Sequence, residues 1–159
     1  TGQWGALGDT WILDLTTGTV RIANSGHNPP FVHEASTGQT RRLPPGGLLV
    51  AIVAPERFEA SLVDIEVPMQ PGSHLMVYTD GVVEAMNEEQ QEFGEERTLS
   101  TIQTHHEKQP AEMVETMLAA IAEYRGAAAP SDDITILDLK MVHPPGQAQA
   151  PDSIGSLEE

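Results

Sequence analysis

Hydrophobic positions along the chain fall mostly into short runs cut by glycine, proline and polar residues, and helical periodicity becomes clear only in the last third. Residues 11–15 read as a strand, Thr16-Thr17-Gly18 as a turn and residues 19–24 as the returning strand, a hairpin pattern with glycine at the last turn position. Ser25-Gly26-His27-Asn28-Pro29-Pro30 is a loop. Residues 31–33 and 40–43 form a further pair of short strands around Thr37-Gly38. Pro44-Pro45-Gly46-Gly47 breaks the chain, and residues 48–53 are apolar. Residues 60–67 alternate, with Leu62, Ile65 and Val67 set against Asp64 and Glu66, which predicts a half-buried strand. Pro71-Gly72 then punctuates the chain ahead of the apolar strand 74–79.

Beyond this strand Val82, Val83, Ala85 and Met86 follow with a more helical spacing, and residues 87–96 read as an acidic loop anchored by Phe93-Gly94. Residues 97–106 predict a short helix with Leu99 and Ile102 on one face. Pro110 opens the clearest helix, because proline suits a first turn. Met113, Met117, Leu118, Ile121 and Tyr124 recur on one stripe before Gly126 ends it. Residues 127–131 form a linker, and 134–142 the last strand. The pattern predicts an α+β fold, mostly antiparallel sheet, with helices inserted between the last two strands. Residues 1–142 make one domain. The Pro/Gly/Gln-rich residues 143–159 make a tail expected to be disordered.

Composition narrows the function classes. At 159 residues the chain is long enough to bury a real core, and with aromatics at 4% that core must be filled by aliphatic side chains and the 6 methionines. The net charge of −16 argues against nucleic acid and anionic membrane as partners, since phosphate binding needs a density of Lys and Arg absent here. With no cysteine there is no disulfide framework, thiolate nucleophile or Cys-based zinc site, which fits a cytoplasmic protein. No apolar stretch reaches the length of a membrane span. The N-terminus does not read as a signal peptide, and its lack of Met points to a processed or incomplete chain.

The candidate chemistry lies in carboxylates at strand ends. Asp80 follows the strand 74–79, and Asp132-Asp133 precedes the run 134–139. If these strands pair antiparallel, the end of one lies beside the start of the other, and the carboxylates meet at one rim. Hard divalent cations such as Mg²⁺ take oxygen ligands of this kind. Asp-Gly is also a common turn and Asp-Asp a common cap, so spacing alone leaves both readings open. His105-His106 reads as solvated and the methionine stripe as core. The basic pair Arg41-Arg42 reads either as a phosphate contact or as surface.

Gly26-His27-Asn28-Pro29-Pro30, then Leu75-Met76-Val77-Tyr78-Thr79-Asp80-Gly81-Val82-Val83-Glu84-Ala85, then Ser131-Asp132-Asp133-Ile134-Thr135-Ile136-Leu137 stand in this order. Together with Phe93-Gly94-Glu95-Glu96-Arg97, this set resembles the SpoIIE/RsbU branch of the metal-dependent protein serine/threonine phosphatases (the PPM family), over about residues 11–141. The resemblance implies an α-β-β-α sandwich of two antiparallel sheets flanked by helices, with Mn²⁺ or Mg²⁺, as two ions, at one end. It implies hydrolysis of phosphoserine or phosphothreonine by a metal-activated water. Phosphorylated STAS-type anti-anti-sigma proteins are the substrates expected in this branch.

By matching motif, Asp80 and Asp132 are the metal ligands, with Gly81 and Asp133 in support, while His27 reads as structural and no substrate-binding residue is assigned. The family's upstream Asp-x-x-Gly-x-Gly motif has no match: Gly8-Asp9-Thr10-Trp11 lacks the later glycines and sits directly ahead of the hairpin. The chain therefore reads as the C-terminal portion of the domain. A non-catalytic, partner-binding remnant of the fold is the alternative, and exposed sheet edges make a homo-oligomer a further expectation.

Overall fold

The structure is a computed structural model that describes residues 10–14, 17–47 and 54–144. The tail beyond Pro144, the apolar run 48–53 and most of the Gly8-Asp9 stretch lie outside these residues. In chain order the elements are β1 (Thr10–Asp14), β2 (Thr19–Ala23), β3 (Phe31–Glu34), β4 (Gln39–Arg42), α1 (Pro55–Ser61), β5 (Asp64–Pro68) and β6 (His74–Tyr78). A 3-10 turn (Asp80–Val82), α2 (Gly94–His105), α3 (Pro110–Arg125) and β7 (Ile136–Lys140) follow.

The strands form two sheets, antiparallel throughout, in the orders β1-β2-β5 and β4-β3-β6-β7. Both hairpins turn where glycine takes a positive φ, at Gly18 (67°) and Gly38 (66°), a conformation that other residues adopt at a cost. Apolar side chains fill the space between the sheets: Val20, Ile22 and Val67 from one, Val32 and Leu75 from the other, joined by Leu43 and Met69. On the outer face of the four-stranded sheet, Phe31, Met76 and Tyr78 meet Ile102 of α2 and Met113, Met117 and Ile121 of α3. β6 is thus covered on both faces, which is why its sequence is continuously apolar and not alternating.

Both long helices lie on this one sheet. Sheet, sheet and helical pair are three layers of the α-β-β-α sandwich, and no helix longer than α1 is left among the described residues to cover the far side. The start of α3 owes its position to Pro110 and to the Glu112 carboxylate, which accepts the Gln109 amide at 3.0 Å. Gly126 ends it with φ at 59°.

Several expectations are corrected. The strand predicted over 60–67 is in part the end of α1, and β5 begins only at Asp64; Leu62 and Val63 lie exposed between them. The alternation is real within β5, where Val67 is buried and Glu66 exposed. The helical spacing after Asp80 yields one 3-10 turn, and the chain then folds back through an isolated bridge between Met86 and Glu92. α2 starts a turn earlier than predicted, at Gly94, whose φ of 79° glycine alone takes easily. Leu118 belongs to the exposed side of α3, outside the stripe.

Phe31 is fully buried and stacks on Tyr78 with ring centroids 4.9 Å apart, at the centre of the helix-facing core. Phe31→Ala is expected to lower the free energy of unfolding by about 3–5 kcal/mol through loss of contacts and an unfilled cavity. Urea unfolding followed by circular dichroism measures this, and a loss under about 1 kcal/mol would contradict that packing.

Candidate functional site

The site grows out of the pairing of β6 with β7. Their register aligns His74 with Lys140 and Tyr78 with Ile136, so β6 ends where β7 begins. Thr79 carries the pairing past the last strand residues. Its amide donates to the Thr135 carbonyl at 3.0 Å, and its hydroxyl accepts the Thr135 amide at 2.9 Å and donates to the Asp133 carbonyl at 3.0 Å. The segments that carry Asp80 and Asp132-Asp133 are thereby tied side by side at one rim. The antiparallel arrangement expected from the sequence is the observed one.

Gly81 makes this approach close enough. A Cβ at that position would stand 2.5 Å from the Asp133 carbonyl oxygen, inside any tolerable contact, so the residue after Asp80 has to be glycine here. Asp80 opens the 3-10 turn: its Oδ1 accepts the Gly81 amide at 3.0 Å and its carbonyl accepts the Glu84 amide at 2.9 Å. Asp132 behaves likewise, with Oδ1 accepting the Asp133 amide at 2.7 Å. The Ser131 hydroxyl reaches the Glu84 carbonyl at 3.2 Å, which closes the linker onto the turn. Asp80, Asp132 and Asp133 are all exposed, whereas Gly81 is buried.

The Gly26–Pro30 loop reaches the same end of the sheet, because β3 starts at Phe31 opposite Met76 of β6. Its shape comes from Asn24, a buried amide that the sequence reading passed over. Asn24 Oδ1 accepts the His27 amide and Nδ2 donates to the His27 carbonyl, both at 2.9 Å, and the Asn24 carbonyl accepts the Gly47 amide at 2.7 Å. The His27 ring nitrogen Nδ1 lies 3.3 Å from the Asn28 carbonyl.

Beneath the rim, Tyr78 has its phenol pushed up to about 12, first by burial and then by the Glu95 carboxylate, with Arg42 acting the other way. It remains a neutral phenol at physiological pH. Arg41 and Arg42 are engaged with carboxylates, Arg41 with Glu34 at 2.7 Å and Arg42 with Glu95 at 2.9 Å. An open cleft of about 540 Å³ runs between Met86, Glu88, Gln90 and the alanines 127–129, and ends at Ser131 beside Asp132.

The donor set has the right chemistry for a hard divalent cation, since carboxylate oxygens are what Mg²⁺ and Mn²⁺ take. Its count falls short: among the described residues no group of three or more histidines, aspartates or glutamates is placed to hold a metal ion. His105-His106 adds no ligand set. His106 keeps about a third of its side chain exposed and also stacks on the buried His33 with centroids 4.3 Å apart.

Three similarities bear on this arrangement. Protein IcfG of Synechocystis sp. is 27% identical over 126 residues, 79% of this chain and 19% of that protein. The SiaA-PP2C domain of Pseudomonas aeruginosa superposes with a TM-score of 0.69 at 23% identity, over 84% of this chain and 50% of that one. The phosphatase domain of the cell fate determinant SpoIIE from Bacillus subtilis, presoaked with Mn, superposes with a TM-score of 0.61 at 17% identity, over 87% of this chain and 58% of that one. The fold is thus of the PP2C type, and the chain spans about half the length of these solved domains. The family of Stage II sporulation protein E matches residues 7–142, the stretch that holds both sheets, the helical pair and the rim carboxylates. The chain belongs to the SpoIIE family.

Proposed function

We propose that this chain is the C-terminal portion of a metal-dependent protein serine/threonine phosphatase. On this reading Asp80 and Asp132 hold Mn²⁺ or Mg²⁺, as two ions, together with ligands from outside the described residues, and Gly81 and Asp133 support them. One observation carries the reading: the Thr79 bridge and the glycine-tight contact bring the Asp80 and Asp132 segments together at one rim. When bound, the ions would supply an acidified water as nucleophile at neutral pH. This chain's own part is to hold the two carboxylates in register and to present them to solvent at a rigid strand end. A phosphoprotein too large for a closed pocket could reach them there. The reaction would move the phosphoryl group from a seryl or threonyl oxygen to water.

The substrate we propose is a phosphorylated regulatory protein of the STAS type, acting in cytoplasmic control of a sigma factor, in line with the branch that the motifs resemble. A second reading rests on the short donor count. A chain with too few ligands would act as a non-catalytic, partner-binding form of the fold. The outer edge of β7, which pairs only with β6 among the described strands and carries the exposed Leu137, offers a place for a second copy to add.

Hydrolysis of an aryl phosphate in Mn²⁺, with and without chelator, separates the two readings. The phosphatase reading expects chelator-sensitive turnover that falls about a thousandfold in Asp80→Asn and in Asp132→Asn, roughly 4 kcal/mol of transition-state stabilisation. The variants should unfold at the same temperature as the parent. A folded chain without turnover that still binds a phosphorylated STAS-type protein would favour the second reading.

Gly81→Ala tests the rim without touching a carboxylate. It is expected to weaken Mn²⁺ binding by about 10–100-fold in a calorimetric titration, because the added methyl group pushes the Asp133 strand end away. Unchanged affinity would mean that the close approach does not position the ligands.

A further inference from the structure

We propose that the end of α2 is fastened to the four-stranded sheet by an acid-sensitive latch. In it His33, His74 and Lys140 of the sheet gather against His106 just past α2, and protonation of His33 in mildly acidic solution frees residues 106–109 from the sheet. The latch lies at the far end of β6 from the candidate metal rim and does not depend on the phosphatase reading.

The fastening itself is made of ring and ammonium donors. His74 is buried between two acceptors: Nε2 donates to the His106 carbonyl at 2.7 Å, and Nδ1 stands 2.8 Å from Asp138 Oδ2. A proton has to lie between Nδ1 and the carboxylate, since two lone pairs at that distance would repel. The Asp138 carboxylate is thereby engaged with His74. Lys140 completes the hold by donating through Nζ to three successive carbonyls, those of His106 at 3.1 Å, Glu107 at 2.8 Å and Lys108 at 2.7 Å. The carbonyls of residues 106–108, in the turn just past α2, are thus held by donors reaching up from β6 and β7.

His33 is the weak member. It is buried on β3, its Nδ1 lies 2.9 Å from the Thr40 hydroxyl, and its ring stacks on that of His106 at 4.3 Å. Thr40, its partner from β4, carries no charge. From β6 it faces His74, from β7 Lys140, and from the end of α2 His106, whose own Nε2 has Glu107 at 3.7 Å. Asp138 already serves His74, and its Oδ1 is buried without a hydrogen-bond partner. A proton placed on His33 would meet cationic or protonatable groups on three sides and no carboxylate of its own.

Burial first, and then His106, His74 and Lys140, hold its pKa below the ordinary histidine value of 6.5. The sign follows. Below pH 6.5 His33 takes up, with the latch open, a proton that it refuses in the closed cluster, so the latch loses stability as pH falls from 6.5 toward the depressed value. For a single proton the opening equilibrium rises by up to about tenfold per pH unit in that window.

Amide hydrogen exchange on the 159-residue chain between pH 7.5 and 5.5, corrected for intrinsic rates, reads this opening directly. The Lys108 amide, bonded to the His105 carbonyl at 2.9 Å, reports on the latch, and amides of the β3–β6–β7 ladder report on global unfolding. The expected result is an opening constant at Lys108 that rises by up to about fivefold from pH 6.5 to 5.5 while the ladder stays flat. The His33 ring resonances should titrate below 6.5 with the same midpoint. His33→Gln, which cannot take the proton, is expected to abolish the pH dependence. A Lys108 opening constant that is flat, or that merely follows the ladder, overturns the proposal, as does a His33 ring that titrates at or above 6.5. The parent chain alone decides this if the variant does not fold.

Discussion

The antiparallel pairing of β6 with β7 is the constraint on which the rest depends. β6 is buried on both faces, so its register is set twice, by the core between the sheets and by the core under the helices. A slip of one residue would exchange Leu75 with Met76 and ruin both packings. With the register held, Tyr78 faces Ile136, and the two acidic segments have nowhere to go but the same rim. Thr79 then extends the ladder by side chain and backbone together, beyond the point where strand geometry stops.

The same pairing explains the helical layer. The chain leaves β6 at Thr79 and returns to β7 at Thr135, neighbours joined by hydrogen bonds, so everything between is a closed excursion that has to pack beside its own ends. The excursion covers the outer face of the sheet with α2 and α3, and its first residues, Val82 and Ala85, are buried in the same cluster as Met113, Met117 and Ile121. The turn that carries Asp80 is therefore rooted in the helix-facing core. At the opposite end of the strand pair, His74 and Lys140 hold the turn between the helices. One pair of strands is anchored at its two ends by different chemistry: hydrogen bonds of Thr79 at the rim, and an imidazole ring and an ammonium group at the other end.

Membership of the SpoIIE family and a PP2C-type fold fit a chain that spans half of the solved domains. Among the described residues the rim carries carboxylates at the ends of two paired segments, but no group of three or more His, Asp or Glu placed to hold a metal ion.

Much of this was legible in the sequence because it is local. Glycine at Gly18 and Gly38, proline at Pro110 and the apolar run of β6 act through backbone conformation and periodicity, which need no distant partner. The order of the three motifs identified the family for the same reason. What failed was whatever depends on a neighbour. The alternation over 60–67 could not reveal that α1 runs to Ser61, and helical spacing after Asp80 could not reveal that the chain is pulled back to pair Met86 with Glu92.

Arg41 and Arg42 read either as a phosphate contact or as surface, and folding sets Glu34 and Glu95 beside them in exposed ion pairs. His106 gained a stacking partner in His33 from β3, and His74 acquired its meaning from Asp138, 64 residues away. The sequence by itself determined the strands, the main helix and the carboxylates at strand ends, because those follow from each residue's own geometry and chemistry. Only the tertiary structure decided which acidic segments share a rim, which cations are already paired and which histidines are buried together, because those depend on distances that exist only after the sheet has closed.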